Sequence, residues 1–191
     1  MAEDDDLNVD AAYALQTPED SKKLYRDWAA SYDKSFAEAM DFLMPDHVAR
    51  LYQAHGGAGL VLDVGAGTGL VAAALKARGL EEVDGLDISP EMLEVARSKG
   101  LYRKTIVADL TRKLPLPDAS YHGVTSSGTF THGHVGPEAL DELLRVAAPA
   151  ALFVLTVKTE HYTDRGFDRK FDSLAGQIRD FEAVSPVSYT H

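Results

Sequence analysis

Short apolar segments alternate with longer segments of helical periodicity along this chain, and the alternation predicts a parallel sheet with helices on both faces. Apolar runs predict strands at 60–64, 82–86, 104–108, 121–127, 151–157 and 181–189. Apolar spacing, capping residues and terminal glycines predict helices at 45–56, 70–78, 90–99 and 168–180, and another that begins at Pro137. The predicted fold class is a doubly wound α/β fold with a mostly parallel sheet.

Ahead of the first strand, the pattern is helical. Thr17 and Pro18 predict a helix start, and Leu24, Trp28 and Tyr32 then recur at four-residue spacing on one helical face. We therefore expect a helical cap before the sheet. The whole chain is predicted to form one domain, divided into an acidic mobile tail at 1–16, the helical cap at 17–57 and an α/β core at 58–191.

Composition narrows the function classes. The 191 residues include no cysteine, which excludes disulfides, thiolate nucleophiles and cysteine-ligated zinc. The net charge of −11 opposes binding to phosphate backbones, so a nucleic-acid substrate is not expected. The N-terminus is acidic, and no apolar run approaches the length of a membrane span, so we expect no membrane association and a cytoplasmic location.

The segment 60–69, which reads LVLDVGAGTG, joins an apolar strand to a helix through closely spaced glycines. Such a turn allows the backbone to approach a ligand, and it predicts a nucleoside-bearing cofactor. The dinucleotide fingerprint is G-x-G-x-x-G, but here the third glycine comes one residue early and Leu70 occupies its position. A turn-forming glycine cluster without a ligand is the alternative interpretation of this segment.

Acidic residues follow the next two predicted strands. Asp87 lies 22 residues after Gly65, where a carboxylate can accept both ribose hydroxyls of a nucleoside. Asp109 ends the third strand and is predicted to take the adenine amino group, with Ile88 and Leu110 on the two sides of the ring. The alternative for each aspartate alone is a helix cap or turn residue.

With Gly65, Gly67 and Gly69, the VLDVGAGTG segment resembles motif I of the class I S-adenosylmethionine (SAM) dependent methyltransferases. The segment DISPEML at 87–93 is similar to the ubiquinone-biosynthesis type of these enzymes. Residues 25–33 and 129–146 are similar to the Williams-Beuren-region methyltransferase-like proteins. The resemblance implies a Rossmann-like methyltransferase fold that binds SAM, methylates an oxygen or nitrogen of a small-molecule acceptor, and releases S-adenosylhomocysteine (SAH).

The resemblance also implies a set of cofactor contacts. Asp63 and the glycine loop are expected at the methionine end of SAM, with the backbone around Ser126 and Ser127 beside them. Trp28 and Tyr32 are expected to close the pocket, although core packing also explains an aromatic stripe at this spacing. The expected cofactor-binding residues are Trp28, Tyr32, Asp63, Gly65, Ala66, Gly67, Gly69, Asp87, Ile88, Met92, Asp109, Leu110, Ser126 and Ser127.

Two histidines are candidate catalytic residues. His132 and His134 lie in the loop before the helix that begins at Pro137, and a neutral imidazole can remove a proton from an oxygen or nitrogen nucleophile. Loop packing or solvent exposure is the alternative for both. An H-x-H pair without neighbouring ligands does not predict a metal site.

The sequence departs from the family pattern at two places, and each departure predicts a structural difference. Related sequences usually have glycines after the proline at 149, where this chain has Ala150 and Ala151, so we expect a different turn or strain there. The family's seventh strand, antiparallel beside the fifth, has no counterpart in these 191 residues. A truncated chain, an edge completed by a partner and a sheet that ends at the sixth strand are the alternatives. An unpaired sheet edge predicts either a homodimer through that edge or low stability.

Two other functions stay open at this point. A non-catalytic SAM- or SAH-binding protein would keep every cofactor residue and lack an acceptor pocket. An NAD-dependent oxidoreductase would share the strand and acid pattern, but the glycine spacing disfavours it.

Overall fold

The computed structural model describes residues 43–130 and 135–184, where helices alternate with strands. The helices are α1 Met44–Ala54, α2 Leu70–Lys76, α3 Pro90–Ser98, α4 Ala139–Val146, α5 Thr159–Asp164 and α6 Phe167–Ser173. The strands are β1 Val61–Val64, β2 Val83–Asp87, β3 Lys104–Val107, β4 Tyr121–Phe130 and β5 Ala147–Val157. The predicted order of helices and strands up to β5 is confirmed.

These strands form one sheet in the order β3-β2-β1-β4-β5, and every neighbouring pair is parallel. The chain proceeds outward from β1 to β3 and then returns to the other side of β1 with β4. The strand order therefore switches direction between β1 and β4. This strand order confirms the predicted fold class. In doubly wound sheets, ligands bind at the carboxyl ends of the strands beside the switch, so a site is expected there.

Apolar side chains pack against both faces of the sheet, as is usual for parallel sheets. On one face, Tyr52 of α1 packs with Val61, Val71 and Leu75. On the other, Leu62 and Val64 pack with residues of α4 and with Phe167. Tyr52 reaches the sheet because Gly123 of β4 has no side chain, and a Cβ there would lie 1.9 Å from the tyrosine hydroxyl.

The helix boundaries follow local signals. Ser89 is the N-cap of α3, and its hydroxyl accepts a hydrogen bond from Met92 N at 3.2 Å. Pro90 occupies the first helical position, where the missing N–H costs nothing. Gly100 follows the end of α3 with a φ of 64°, in the left-handed region that favours glycine.

The beginning of β5 differs from its prediction. The strand starts at Ala147 and not at 151, because Ala147 already pairs with Tyr121. A register shift follows before Leu152 pairs with Gly123. Ala150, within the shifted segment, has a φ of 65°, which an alanine adopts only with strain. The strain expected from the missing glycine is therefore present.

The C-terminal part of the described chain corrects two predictions. The helix expected over 168–180 ends at Ser173, and residues 181–184 are not a strand. The chain reverses after α6, with Asp180 at a φ of 54°, so that the ring of Phe181 lies 4.6 Å from that of Phe171. The contact between these two rings joins the segment after α6 to the helix, and the rest of 181–189 lies outside the described residues.

Of the predicted cap at 17–57, the structure describes α1 and the residues that follow it, while the predicted tail at 1–16 lies outside. Within 43–130 and 135–184, none of the helices has the length and apolarity needed to cross a bilayer.

Candidate cofactor-binding site

The loop between β1 and α2 forms the centre of the site. Gly65, Gly67 and Gly69 have φ values of 67°, 52° and 95°, so each lies in the left-handed region. Gly65 N and Ala66 N donate hydrogen bonds to Leu86 O at 2.8 and 3.0 Å. The loop is therefore bent sharply over the carboxyl end of β2.

The surroundings of these glycines differ. A Cβ at Gly65 would lie 1.9 Å from Thr129 Oγ1, and one at Gly69 would lie 2.5 Å from Leu101 Cδ1. At Gly67, the described residues leave the space within 4 Å of a Cβ position open. Gly65 and Gly69 thus allow close packing within the protein, whereas Gly67 faces the space in which a ligand is expected.

Asp87, the last residue of β2, joins the loop to the neighbouring strand. Its Oδ2 accepts a hydrogen bond from Gly67 N at 2.8 Å, and its Oδ1 accepts one from Ser89 N at 2.8 Å. Burial raises the pKa of Asp87, and these backbone donors oppose the rise. A carboxylate has about four lone-pair positions, so Asp87 keeps acceptor capacity for the hydroxyls of a ribose.

Asp63 of β1 lies beneath the loop and is 1% exposed. Tyr102 donates a hydrogen bond to Asp63 Oδ2 at 2.6 Å, and Thr125 donates one to Oδ1 at 3.2 Å. The pKa of Asp63 is raised to about 7: burial is the main cause, the two hydrogen bonds oppose the rise, and the charge of the nearby Asp87 adds to it. Asp63 is thus a buried acid held by hydroxyl groups.

The carboxyl end of β4 lies against the same loop. Ser126 Oγ and Thr129 Oγ1 lie 2.8 and 2.9 Å from Val64 O, which fixes the exit of β1. Ser127 Oγ, in contrast, is buried and has no hydrogen-bond partner among the described residues. A buried hydroxyl without a partner is costly, and a polar ligand group would satisfy it.

A small cavity brings these features together. It is lined by Pro45, Gly65, Ala66, Gly67, Thr68, Leu70, Val71 and Ser127. Gly67 and Ser127 therefore border one space, next to the loop that Asp87 holds.

The residues predicted around adenine lie at the next strand ends. Ala108 N donates to Asp87 O at 3.0 Å, so the end of β3 adjoins the end of β2. Asp109 follows, and its Oδ1 accepts hydrogen bonds from Thr111 N and Thr111 Oγ1 at 2.9 and 2.7 Å. Met92 and Leu110 are buried, and Ile88 is partly exposed. Asp109 thus stabilises the turn that follows β3, and its contact with adenine stays a prediction.

Four predicted residues lie outside the described residues, namely Trp28, Tyr32, His132 and His134. Their roles stay predictions. Within the described ranges, no group of three or more histidine, aspartate or glutamate side chains is placed to hold a metal ion.

Sequence reasoning missed several residues that hold the loop or the end of β1 that leads into it: Lys99, Tyr102, Thr125 and Thr129. One signal was available, because Gly85 stands in the middle of β2, where a glycine often marks close approach by another group. A Cβ at Gly85 would lie 2.9 Å from atoms of the Tyr102 ring. The sequence spacing did not indicate that Tyr102 would be the residue that packs against Gly85.

A switched parallel sheet, a glycine loop after its first strand and a carboxylate at the end of its second define the nucleotide- and nucleoside-binding α/β proteins. Residues 62–155 match the model of the family described as methyltransferase domain. This match supports the recognition made from the sequence: residues 62–155 are similar to the class I SAM-dependent methyltransferases, and so are the relatives and solved structures that follow.

Relatives of known sequence agree with this family. Methyltransferase-like protein 27 of Homo sapiens is 36% identical over 155 residues, which cover 79% of this chain and 63% of the relative. Demethylmenaquinone methyltransferase of Deinococcus radiodurans is 38% identical over 100 residues, which cover 50% of this chain and 41% of the relative. The chain thus spans less than two thirds of the length of either relative.

Solved structures share the fold. The complex of DhpI with SAH is 28% identical, with a TM-score of 0.59, and the match covers 75% of this chain and 71% of DhpI. The CcbJ methyltransferase of Streptomyces caelestis is 26% identical, with a TM-score of 0.56, and the match covers 69% and 56% of the two chains.

Proposed function

We propose that this chain is a SAM-dependent methyltransferase that transfers a methyl group to an oxygen or nitrogen of a small-molecule acceptor and releases SAH. The observation that carries the proposal is the hydrogen bond from Gly67 N to Asp87 Oδ2 at 2.8 Å. It joins an open glycine loop to a ribose-binding carboxylate at the topological switch. The methyltransferase relatives and the DhpI complex with SAH support the same cofactor.

Each part of the site takes a role in this proposal. Asp87 accepts the ribose hydroxyls, while Ser127 Oγ and the loop backbone at Gly65, Ala66, Gly67 and Gly69 hold the amino-acid portion, with Asp63 and Ser126 behind them. The adenine ring lies among Ile88, Met92, Asp109 and Leu110. When bound, SAM supplies an electrophilic methyl carbon, and its transfer releases a proton from the acceptor. His132 or His134 takes that proton.

Calorimetric titration tests the cofactor. The purified chain is titrated with SAM, SAH and NAD, alongside Asp87→Ala and a matched control, Asp172→Ala, which alters an exposed aspartate of α6. We expect SAM and SAH to bind to the unaltered chain and to the control, but not to Asp87→Ala, and NAD not to bind. A folded chain that binds neither sulfur compound would contradict the proposal.

Turnover tests the reaction. SAH formation is measured with a panel of small oxygen and nitrogen acceptors, and His132→Gln and His134→Gln are compared with the unaltered chain. We expect the loss of the catalytic base to lower turnover and to leave SAM binding unchanged. SAM binding without turnover on any acceptor would instead indicate the non-catalytic alternative, which the methyltransferase relatives do not favour.

The proposal includes the kind of acceptor, the oligomeric state and the cellular location. The net charge of −11 supports a small acceptor over a nucleic acid. Among the described strands, β3 and β5 form the sheet edges, which supports a homodimer through an edge. A cytoplasmic site of action without membrane association agrees with a diffusible acceptor.

A further inference from the structure

The connection between α3 and β3 is neither helix nor strand, and it packs against the glycine loop. Lys99 Nζ donates a hydrogen bond to Thr68 O at 2.8 Å. Leu101 fills the space beside Gly69, where a Cβ would lie 2.5 Å from Leu101 Cδ1. The segment 99–102, which we term the brace, thus supports the loop without lining the cavity.

Tyr102 makes the most extensive of these contacts. Its hydroxyl donates to Asp63 Oδ2 at 2.6 Å and also lies 3.3 Å from Ala66 O, a carbonyl of the loop. Its ring lies over Gly85, where a side chain would displace it. One hydroxyl group is therefore in contact with the end of β1 and with the loop that follows it.

The electrostatics of Asp63 depend on this hydroxyl. The groups that act on the buried carboxylate are Tyr102 and Thr125, which donate hydrogen bonds to it, and Asp87, whose charge opposes its ionisation. A buried carboxylate that loses a short hydrogen bond loses stabilisation of its charged form. Removal of the Tyr102 hydroxyl would therefore favour protonation of Asp63.

We propose that the brace is a positioning element of the cofactor site, in which Tyr102 fixes the Asp63 carboxylate and the Ala66 carbonyl while Lys99 fixes the Thr68 carbonyl. The proposal rests on the proposed function, because it assigns the loop the task of holding SAM and SAH. Tyr102 does not line the cavity. It acts through the loop and through the charge beneath it.

The test compares two tyrosines that each donate to a buried aspartate. Tyr102→Phe removes the hydroxyl beneath the loop. Tyr121→Phe is the matched control, because Tyr121 donates to Asp84 Oδ2 at 3.0 Å, and Asp84 lies at the amino-terminal half of β2, away from the loop. The dissociation constant for SAH and the thermal unfolding midpoint are measured for both variants and for the unaltered chain.

We expect Tyr102→Phe to weaken SAH binding about tenfold, the effect of losing one hydrogen bond to a charged group, and Tyr121→Phe to leave affinity within about twofold. An unchanged SAH affinity in a folded Tyr102→Phe chain would overturn the proposal. If that chain does not fold, Lys99→Met serves instead, and an unchanged affinity there would overturn it.

The pH dependence of binding distinguishes positioning from general loss of structure. The amino-acid end of SAH carries an ammonium group, so ionised Asp63 favours its binding. We expect affinity to fall on acidification around pH 7 in the unaltered chain, where Asp63 titrates. In Tyr102→Phe the fall should occur at higher pH. Coincident profiles would contradict the proposal, whereas no SAH binding by the unaltered chain would instead defeat the proposed function.

Discussion

In the glycine loop, one glycine is required for packing within the protein and another for access of a ligand. At Gly65 there is no room for a side chain, because a Cβ would lie 1.9 Å from Thr129 Oγ1. At Gly67, which has a φ of 52°, the space around a Cβ position is open. An alanine in the left-handed region costs about 1–2 kcal/mol. The two positions therefore carry the same conformational constraint and differ in what surrounds them.

We expect Gly67→Ala to lower the free energy of unfolding by about 1–2 kcal/mol and to abolish SAH binding, since its methyl group enters the ligand space. Gly65→Ala should cost more stability, because strain and steric overlap combine. Urea unfolding and calorimetric titration measure both effects. As a control, Thr129→Ala added to Gly65→Ala should recover part of the loss. Equal stability of the two single variants would contradict this account.

Asp63 predicts how stability depends on pH. Burial raises the pKa of Asp63 to about 7, above the ordinary carboxyl value of about 4, so the folded chain binds a proton that the unfolded chain releases between these values. The stability contributed by protonated Asp63 is full below about pH 4 and is lost as the pH rises through about 7.

We therefore expect Asp63→Asn, which cannot titrate, to reduce the fall in the free energy of unfolding between pH 4.5 and 7.5. Urea unfolding across this range is the measurement. Part of the fall should persist, because burial also raises the pKa of Asp87. Asp172→Asn, at an exposed position, should keep the full pH dependence. An unaltered slope in Asp63→Asn would show that the carboxyl group does not titrate as described.

At the scale of elements, β5 contains strain that one substitution should relieve. Ala150 has a φ of 65° in the segment where the register shifts against β4. Ala150→Gly should raise the free energy of unfolding by about 1 kcal/mol, because glycine adopts this conformation without the Cβ clash. Ala148→Gly is the control: Ala148 lacks a positive φ, so the same substitution should destabilise the strand. A loss of stability in both variants would contradict the assignment of strain.

The elements also show which features sequence patterns predict. Ser89-Pro90 and the glycines around β1 act through neighbours in the chain, so their helix start and turn were predictable. The start of β5 depends on pairing with Tyr121, and the segment after α6 brings the ring of Phe181 against Phe171. Tyr102 reaches Asp63 across 39 positions of sequence. These contacts form only in the folded chain, and periodicity contains no information about them.

At the scale of the whole molecule, the site joins segments from both sides of the switch between β1 and β4. The loop after β1 is bound to the end of β2 through Asp87, and Thr129 at the end of β4 contacts the last carbonyl of β1. The brace reaches it from the connection before β3. A ligand bound here would contact a loop that is held by segments next to β1, β2, β3 and β4. Its binding should therefore stabilise the whole sheet against unfolding.

We accordingly expect SAH at about 100 times its dissociation constant to raise the free energy of unfolding by about 2.7 kcal/mol, the value that linkage requires for a ligand bound only by the folded chain. Denaturant unfolding with and without SAH measures the shift, and Asp87→Ala should show none. Hydrogen exchange should slow most at Gly67, whose N–H donates to Asp87, and within the brace. Stabilisation without slowed exchange in either segment would locate SAH elsewhere, because a ligand held by the loop must restrict the opening of the loop and of the segment that supports it.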